Sequence, residues 1–235
     1  MTSVLLFGST GLTGSNILET LAKVDGFSKI WTISRRAPKT QSAKLEAIVE
    51  ADTDTWTKPL ADMKPETVIS ALGSTRASAG GIQNQWKIDH DANVAIAKEA
   101  KAQGVKTFVF VSSTGTRGFL SSMAPYSKMK IGVEDTVTGL GFDHAIILRP
   151  GGILGERENP HLGGPLMNAA IRSLSKISQG WQDSLGQEAE VIGRAAVHAA
   201  KLAAEGKAPK NPWILEQADI VRLGREEWKN VDPTA

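Results

Sequence analysis

The chain has 235 residues, 41% hydrophobic and 22% charged, with a formal net charge of +2. That composition suits one large globular α/β domain, or one with a small appendage, and nothing in the distribution of its 27 basic residues suggests a nucleic-acid partner. There is no cysteine, which excludes disulfides, thiolate catalysis and thiolate metal sites, and the four histidines fall at no metal-binding interval, so no metal is expected.

In chain order, Val4-Leu5-Leu6-Phe7 reads as a first strand, too close to the start to leave room for a leader peptide. Gly8-Ser9-Thr10-Gly11-Leu12-Thr13-Gly14 follows, then a helix with Ile17, Leu18 and Leu21 on one face, ended by Gly26. Lys29–Ser34 is the second strand and Leu45–Val49 the third. Asp52–Leu60 is a polar connection with a short helix and Trp56. Thr67–Leu72 is the fourth strand, Ala77–Gln85 a loop, and Trp86–Gln103 a long helix with Ile88, Ala92, Ile96 and Ala100 on one face. Thr107–Val111 is the fifth strand, Tyr126–Leu140 a helix, and His144–Leu148 the sixth strand, broken by Pro150, Gly151 and Gly152. Beyond it, Glu156–Gly164 reads as loop, Leu166–Ile177, Ile192–Ala204 and Arg225–Lys229 as helical, and Trp213–Leu215 as a late strand.

Alternating strands and helices predict an α/β Rossmann fold, a doubly wound parallel sheet with helices on both faces and a small C-terminal substrate cap. Residues 1–155 form the dinucleotide-binding part in this reading, and 156–235 a cap integrated with the same domain. No apolar run approaches the ~20 residues needed to cross a bilayer.

The strand–glycine turn–helix at Gly8–Gly14 is the context that a dinucleotide-binding turn requires. Gly8 permits the tight turn, Gly11 lets backbone approach a pyrophosphate, and Gly14 lets helix and strand pack closely. Ser9, Thr10, Leu12 and Thr13 complete the cradle, with helix N–H groups facing the phosphates. Where a ribose 2′-hydroxyl would call for an acid, the second strand ends in Arg35-Arg36, whose guanidinium forks suit a 2′-phosphate and so favour NADP(H). Tyr126 is the only tyrosine, and Lys130 lies one helical turn below it, placed to lower the phenol pKa. Ser113, just after the fifth strand, supplies a hydroxyl for a developing alkoxide, although Ser112 and Thr114 are close enough to compete for that role. The tryptophans Trp31, Trp56 and Trp86 read as packing residues, whereas Trp181 and Trp213 are open to pocket roles. His90 between Asp89 and Asp91 is no metal cluster, because consecutive helix positions point apart.

The chain resembles the short-chain dehydrogenase/reductases in Gly8-x-x-Gly11-x-x-Gly14, Ser113, Tyr126-x-x-x-Lys130 and Arg149-Pro150-Gly151. The last motif, with Ala71-Leu72-Gly73-Ser74-Thr75-Arg76, Ala79-Gly80-Gly81 and Lys87–Asp91, is similar to extended and atypical members. These include a fungal mitochondrial outer-membrane group and a human Tat-interacting oxidoreductase group. The resemblance spans Val4 to Arg157. It implies NADP(H) lying against Gly8–Gly14, Ala71, Leu72, Gly73, Arg149, Pro150 and Gly151. It also implies Ser113 polarising a carbonyl, Tyr126 donating a proton, and Lys130 holding the nicotinamide ribose and tuning Tyr126. The implied activity is that of an NADPH-dependent carbonyl reductase or alcohol dehydrogenase acting on a small molecule. The alternative is a non-catalytic NADPH-binding regulator or scaffold. The resemblance further implies a monomer or homodimer, held peripherally at the mitochondrial outer membrane or otherwise cytoplasmic. Asp89 stands where many extended members have Asn, and Arg76 is open to cofactor, substrate or solvent.

Overall fold

Seven parallel strands, in the order β3-β2-β1-β4-β5-β6-β9, form the central sheet of the computed structural model, which describes residues 2–156, 164–174 and 178–231. The strands are β1 (Thr2–Phe7), β2 (Phe27–Ser34), β3 (Leu45–Val49), β4 (Thr67–Ser70), β5 (Thr107–Val111), β6 (His144–Leu148) and β9 (Trp213–Leu215). β7 (Gly152–Leu154) and β8 (Gly186–Glu188) make a separate two-stranded parallel ribbon. The helices are α1 (Leu12–Lys23), α2 (Leu60–Met63), α3 (Arg76–Ala79), α4 (Ile82–Trp86), α5 (Asn93–Ala102), α6 (Pro125–Gly139), α7 (Gly164–Ser173), α8 (Gln179–Leu185), α9 (Ala189–Ala204) and α10 (Gln217–Val221).

The inner strands are apolar almost throughout because helices cover both faces of a parallel sheet. Alternation divides them between two cores. Val4, Leu6, Ile69, Val109 and Ile146 face one side, with Ile17, Leu18 and Leu21 of α1 and the alanine-rich α9. Leu5, Phe7, Val68, Phe108, Phe110 and Ile147 face the other, with Ile96, Ala97 and Ala100 of α5 and Val133 and Val137 of α6. The strand order reverses beside β1, between β1 and β4, and such a switch point opens a crevice at the carboxyl ends of the strands. The glycine turn and the residues after β4, β5 and β6 all lie at that edge.

The tail contributes to the sheet as well as to its cover: β9 pairs with β6 from Ile146↔Trp213 to Leu148↔Leu215, and α9 packs on α1. Close approach of those helices needs Gly193, where a Cβ would stand 3.0 Å from the Asn16 carbonyl carbon and the Ile17 nitrogen. Trp213 is accordingly a core residue, 4% exposed, whereas Trp181 is 60% exposed.

The segment read as loop over Ala77–Gln85 holds two short helices. The Ser78 amide donates to Thr75 Oγ1 (3.1 Å) and the Thr75 amide to Ser78 Oγ (2.9 Å), a reciprocal cap that small polar residues can form. α4 then runs through a π-helical stretch, Lys87–Ala92, into α5. β4 ends at Ser70, two residues before the expected boundary, as the chain turns toward Gly8. The expected helix near Arg225 is a π-helical segment, Arg222–Glu226, followed by a 3-10 turn, Glu227–Asn230. Of the expected loop 156–164 and helix 166–177, residues 157–163 and 175–177 lie outside the described residues.

Candidate active site

The glycine turn is packed so tightly that side chains are excluded from it. Gly8 has φ +82°, and a Cβ there would lie 2.7 Å from the Ala71 carbonyl oxygen. A Cβ at Gly14 would stand 2.0 Å from the Gly8 carbonyl oxygen. The Gly11 amide donates to that same oxygen (3.0 Å), and Gly11 caps α1 with no side-chain hydrogen bond, so the first helical N–H groups remain for a ligand. Ser9 Oγ, in a residue 1% exposed, has no hydrogen-bond partner, which is unusual for a buried hydroxyl. Exclusion of a Cβ at Gly8 and Gly14, an uncapped helix start and an orphaned Ser9 hydroxyl fit a dinucleotide pyrophosphate. Thr13 is buried, and Leu12 meets the chain returning after β7: a Cβ at Gly155 would fall 2.8 Å from its side chain. Arg35 and Arg36 are exposed just beyond β2, where Ser34 Oγ donates to the Arg36 carbonyl (2.7 Å) and shapes the turn.

At the adjoining strand ends the backbone stays zipped, with the Ser112 amide donating to the Leu148 carbonyl and the Thr114 amide to the Pro150 carbonyl, both at 2.8 Å. Ser113 is held between these anchors, half-buried. Ser112 turns the other way: it is buried, and its Oγ donates to Glu134 Oε1 at 2.5 Å. Of the competing hydroxyls, Ser112 is thus committed to the interior.

Tyr126 lies in the first turn of α6, 39% exposed, and Lys130 one turn on, 3% exposed. The Lys130 ammonium donates to the Val111 carbonyl (3.2 Å), sits 4.8 Å from the Phe110 ring centroid, and lies 3.6 Å from where a Gly73 Cβ would be. Gly73, Lys130 and the end of β5 therefore converge at one point. Tyr126 and Lys130 share a helix face without a hydrogen bond between them among the described residues. Leu72 is a core residue, leaving its backbone for any ligand contact. The Gly151 amide donates to Gln187 Oε1 (2.8 Å), which ties the loop after β6 to β8. Arg76 is exposed at the start of α3.

Asp89 is fully buried in the π-helical stretch, and its Oδ1 accepts from both the Ser74 amide and Ser74 Oγ at 2.7 Å. Its Oδ2 has no hydrogen-bond partner. Burial pushes its pKa up, against the opposing charge of Lys130 and the hydrogen bonds from Ser74. Asp89 thus pins the loop after β4. His90 Nδ1 lies 2.8 Å from Asp91 Oδ1 and its ring rests on Trp86, while the neighbouring Asp89 points inward.

Glu134, one turn beyond Lys130, is the residue that sequence reasoning missed. It is 1% exposed, and its carboxylate accepts from Ser112 Oγ, Arg117 Nε (2.9 Å), and Arg149 Nε (3.1 Å) and Nη2 (2.6 Å). Arg149 also reaches Glu216 Oε1 with Nη1 at 2.9 Å. Burial alone would raise the Glu134 pKa, but hydrogen bonds from Arg149, Ser112 and Arg117 outweigh it and hold the carboxyl below its ordinary range. The stripe Tyr126, Lys130, Glu134 at i, i+4, i+8 was the available signal, since it places an acid on the buried face of the helix. The Arg149 side chain is spent on this network, leaving its backbone for any ligand contact.

The sequence pattern of the NAD dependent epimerase/dehydratase family matches residues 4–185. The chain belongs to that family. Its relatives include a Neurospora crassa protein named "Protein fmp-52, mitochondrial", 59% identical over 97% of each chain. A protein of Aspergillus terreus named "Protein fmp52-2, mitochondrial" is 57% identical over 97% of this chain and all of its own length. Among solved structures, a short-chain dehydrogenase/reductase of Saccharomyces cerevisiae superposes with a TM-score of 0.67 at 16% identity, over 95% of this chain and 99% of its own. The UDP-Glc/GlcNAc 4-epimerase of Campylobacter jejuni superposes with a TM-score of 0.69 at 13% identity, over 98% and 83%. The Rossmann fold expected from the strand–helix alternation is therefore the fold of this family. The family match supports a dinucleotide-binding reading of the glycine cradle, and the superpositions show a fold shared with short-chain dehydrogenases/reductases and epimerases. No helix among the described residues is long and apolar enough to cross a membrane.

Proposed function

We propose that the protein is an NADP(H)-dependent oxidoreductase that interconverts a carbonyl and an alcohol, with Tyr126 as proton donor. The observation that carries this reading is the convergence of Lys130, Gly73 and the end of β5 beneath Tyr126, on the sheet edge that holds the glycine cradle. In this reading Gly8–Gly14 hold the pyrophosphate and Arg35 and Arg36 the 2′-phosphate. Lys130 holds the nicotinamide ribose, between the backbones of Ala71–Gly73 and Arg149–Gly151. When bound, the cofactor supplies the hydride. The Tyr126 hydroxyl delivers its proton to the substrate oxygen, Ser113 Oγ donates a hydrogen bond to the same oxygen, and the Lys130 charge favours the phenolate left behind. Paired guanidiniums in place of a ribose-binding acid support NADPH over NADH. The mitochondrial names of the relatives support a mitochondrial location, and we place the protein peripherally at the outer membrane.

Tyr126→Phe should abolish turnover while leaving NADPH binding intact. Undiminished turnover would overturn the assignment. NADPH bound but never oxidised across a broad carbonyl screen would favour the regulatory alternative.

A further inference from the structure

Four of the seven exposed large hydrophobic side chains among the described residues fall in the one segment that ends at Tyr126. Among the described residues, the exposed large hydrophobic side chains are Val49, Phe119, Leu120, Met123, Tyr126, Trp181 and Leu185. Val49 is on the edge strand β3. Phe119 is 93% exposed, Leu120 76% and Met123 69%, in the connection from β5 to α6 that ends at Tyr126. Trp181 and Leu185 belong to α8 and are 60% and 55% exposed. A Cβ on Gly151 would lie 2.6 Å from the Leu185 carbonyl oxygen, which sets the end of α8 directly on the loop after β6, beside the end of β5. Apolar exposure of this kind beside a site marks a surface that meets an apolar ligand or partner.

The β5–α6 connection is braced from within, so its apolar tips stay outward. Ser121 Oγ donates to the Gly115 carbonyl, the Ser122 amide donates to the Gly118 carbonyl at 2.9 Å, and the Ala124 amide to the Ser121 carbonyl at 3.0 Å. Arg117 ties the base of the loop to Glu134 and Asp135 on α6. From Gly118 to Ser127 the chain carries no charged residue. On α8 the one carboxylate, Asp183, is paired with Arg225 at 2.6 Å. Among the described residues, the flanking cation Arg117 is held by Glu134 and Asp135, and Lys128 on the next turn of α6 is exposed, so the apolar stretch itself offers a substrate no charged partner.

We propose that these side chains form the substrate-binding surface of the Tyr126 site, and that the substrate is a neutral carbonyl compound with a long apolar body, such as a medium- or long-chain aldehyde. This rests on the oxidoreductase reading and names its substrate class. The carbonyl meets Tyr126 and Ser113, and the alkyl chain lies across Phe119, Leu120 and Met123 on one side and Trp181 and Leu185 on the other. Each methylene that leaves water on this surface should strengthen binding about two- to fourfold.

The test is NADPH oxidation with straight-chain aldehydes from butanal to decanal, beside displacement of anilinonaphthalene sulfonate from the NADPH-loaded protein by butanol and decanol. The expected result is a kcat/KM that climbs steadily with chain length. Phe119→Ser/Leu120→Ser and Trp181→Ser should each lower the decanal-to-butanal ratio at least tenfold, with retained NADPH binding as the check on folding. Turnover that is flat across the series overturns the proposal while leaving the oxidoreductase reading standing. If no aldehyde is reduced, that reading fails, and the alcohols decide the surface: preferential displacement by decanol supports it, and equal displacement overturns it. A flat series together with a dimer that Phe119→Ser/Leu120→Ser converts to monomer assigns the patch to self-association, and likewise overturns the proposal.

Discussion

Removing the Glu134 carboxylate should cost more than any other single change of a charged residue at this edge. Glu134→Ala strips a 1% exposed acceptor from Ser112, Arg117 and Arg149. The Arg117 arm contributes little, because that guanidinium is 42% exposed and screened. The remainder is a buried ion pair broken at one end, which costs about 3–5 kcal/mol. Arg149 keeps Glu216 at 2.9 Å and is itself 19% exposed, so the lower end, about 3 kcal/mol, applies. Glu134→Gln preserves volume and one acceptor oxygen but loses the charge, and about 2 kcal/mol is expected. Urea unfolding at pH 7 should show the loss as a lower midpoint at unchanged slope. The pH dependence has a definite sign. A carboxyl held below its unfolded value stabilises the fold above the ordinary carboxylate range near 4.3, and that stability is lost as pH falls through the lower folded value. Glu134→Gln should therefore flatten the acid limb of the stability profile. A Glu134→Ala protein within about 0.5 kcal/mol of wild type would show that the network does not hold the strand ends together.

Gly14→Ala forces a methyl to within 2.0 Å of the Gly8 carbonyl, so α1 must move; a loss of about 1–3 kcal/mol in thermal or urea unfolding and a large drop in NADPH affinity are expected. NADPH should bind at least tenfold tighter than NADH, about 1.4 kcal/mol, and Arg35→Ala/Arg36→Ala should narrow that gap in fluorescence titration; equal affinities in the wild type would remove the pair from cofactor selection. Asp89→Asn should keep the acceptor for Ser74, whereas Asp89→Ala should lose it and cost about 1–2 kcal/mol more. Because burial raises the Asp89 pKa, its ionisation weakens the fold as pH climbs from the ordinary carboxylate range through the raised folded value, and Asp89→Asn should abolish that decline in urea midpoints measured across it.

Much of this protein was legible in its residues because the signals are local. Val4–Phe7 and the three glycines occupy one continuous stretch, and steric exclusion at Gly8 and Gly14 depends on neighbours in the first βα unit and the adjacent strand end. Tyr126 and Lys130 share a helix turn, so their common face follows from the 3.6-residue period. The helix over Arg76–Ala79 escaped notice because it begins from a reciprocal cap of small polar residues that equally suits a loop, and the one over Ile82–Trp86 because it starts at Gly81 with no side-chain cap.

Other features existed only once strands were side by side. Alternation says that Ser112 and Ser113 point to opposite faces, but not which face is the interior. That was decided by the register of β5 on β6 and by Glu134, 22 residues away from Ser112 in the chain. The partner of Arg149 at Glu216 is 67 residues distant, and the late strand carrying Trp213 into the core joins β6 from the far end of the sequence. By itself the sequence determined the fold class, the glycine turn and the shared helix face of Tyr126 and Lys130, since each rests on backbone geometry within one βα unit or one helical turn. Only the tertiary structure decided that Ser112 is committed to the interior and which acid locks the strand ends. It also decided which apolar side chains stay exposed, because burial and partnership are properties of distant segments brought together.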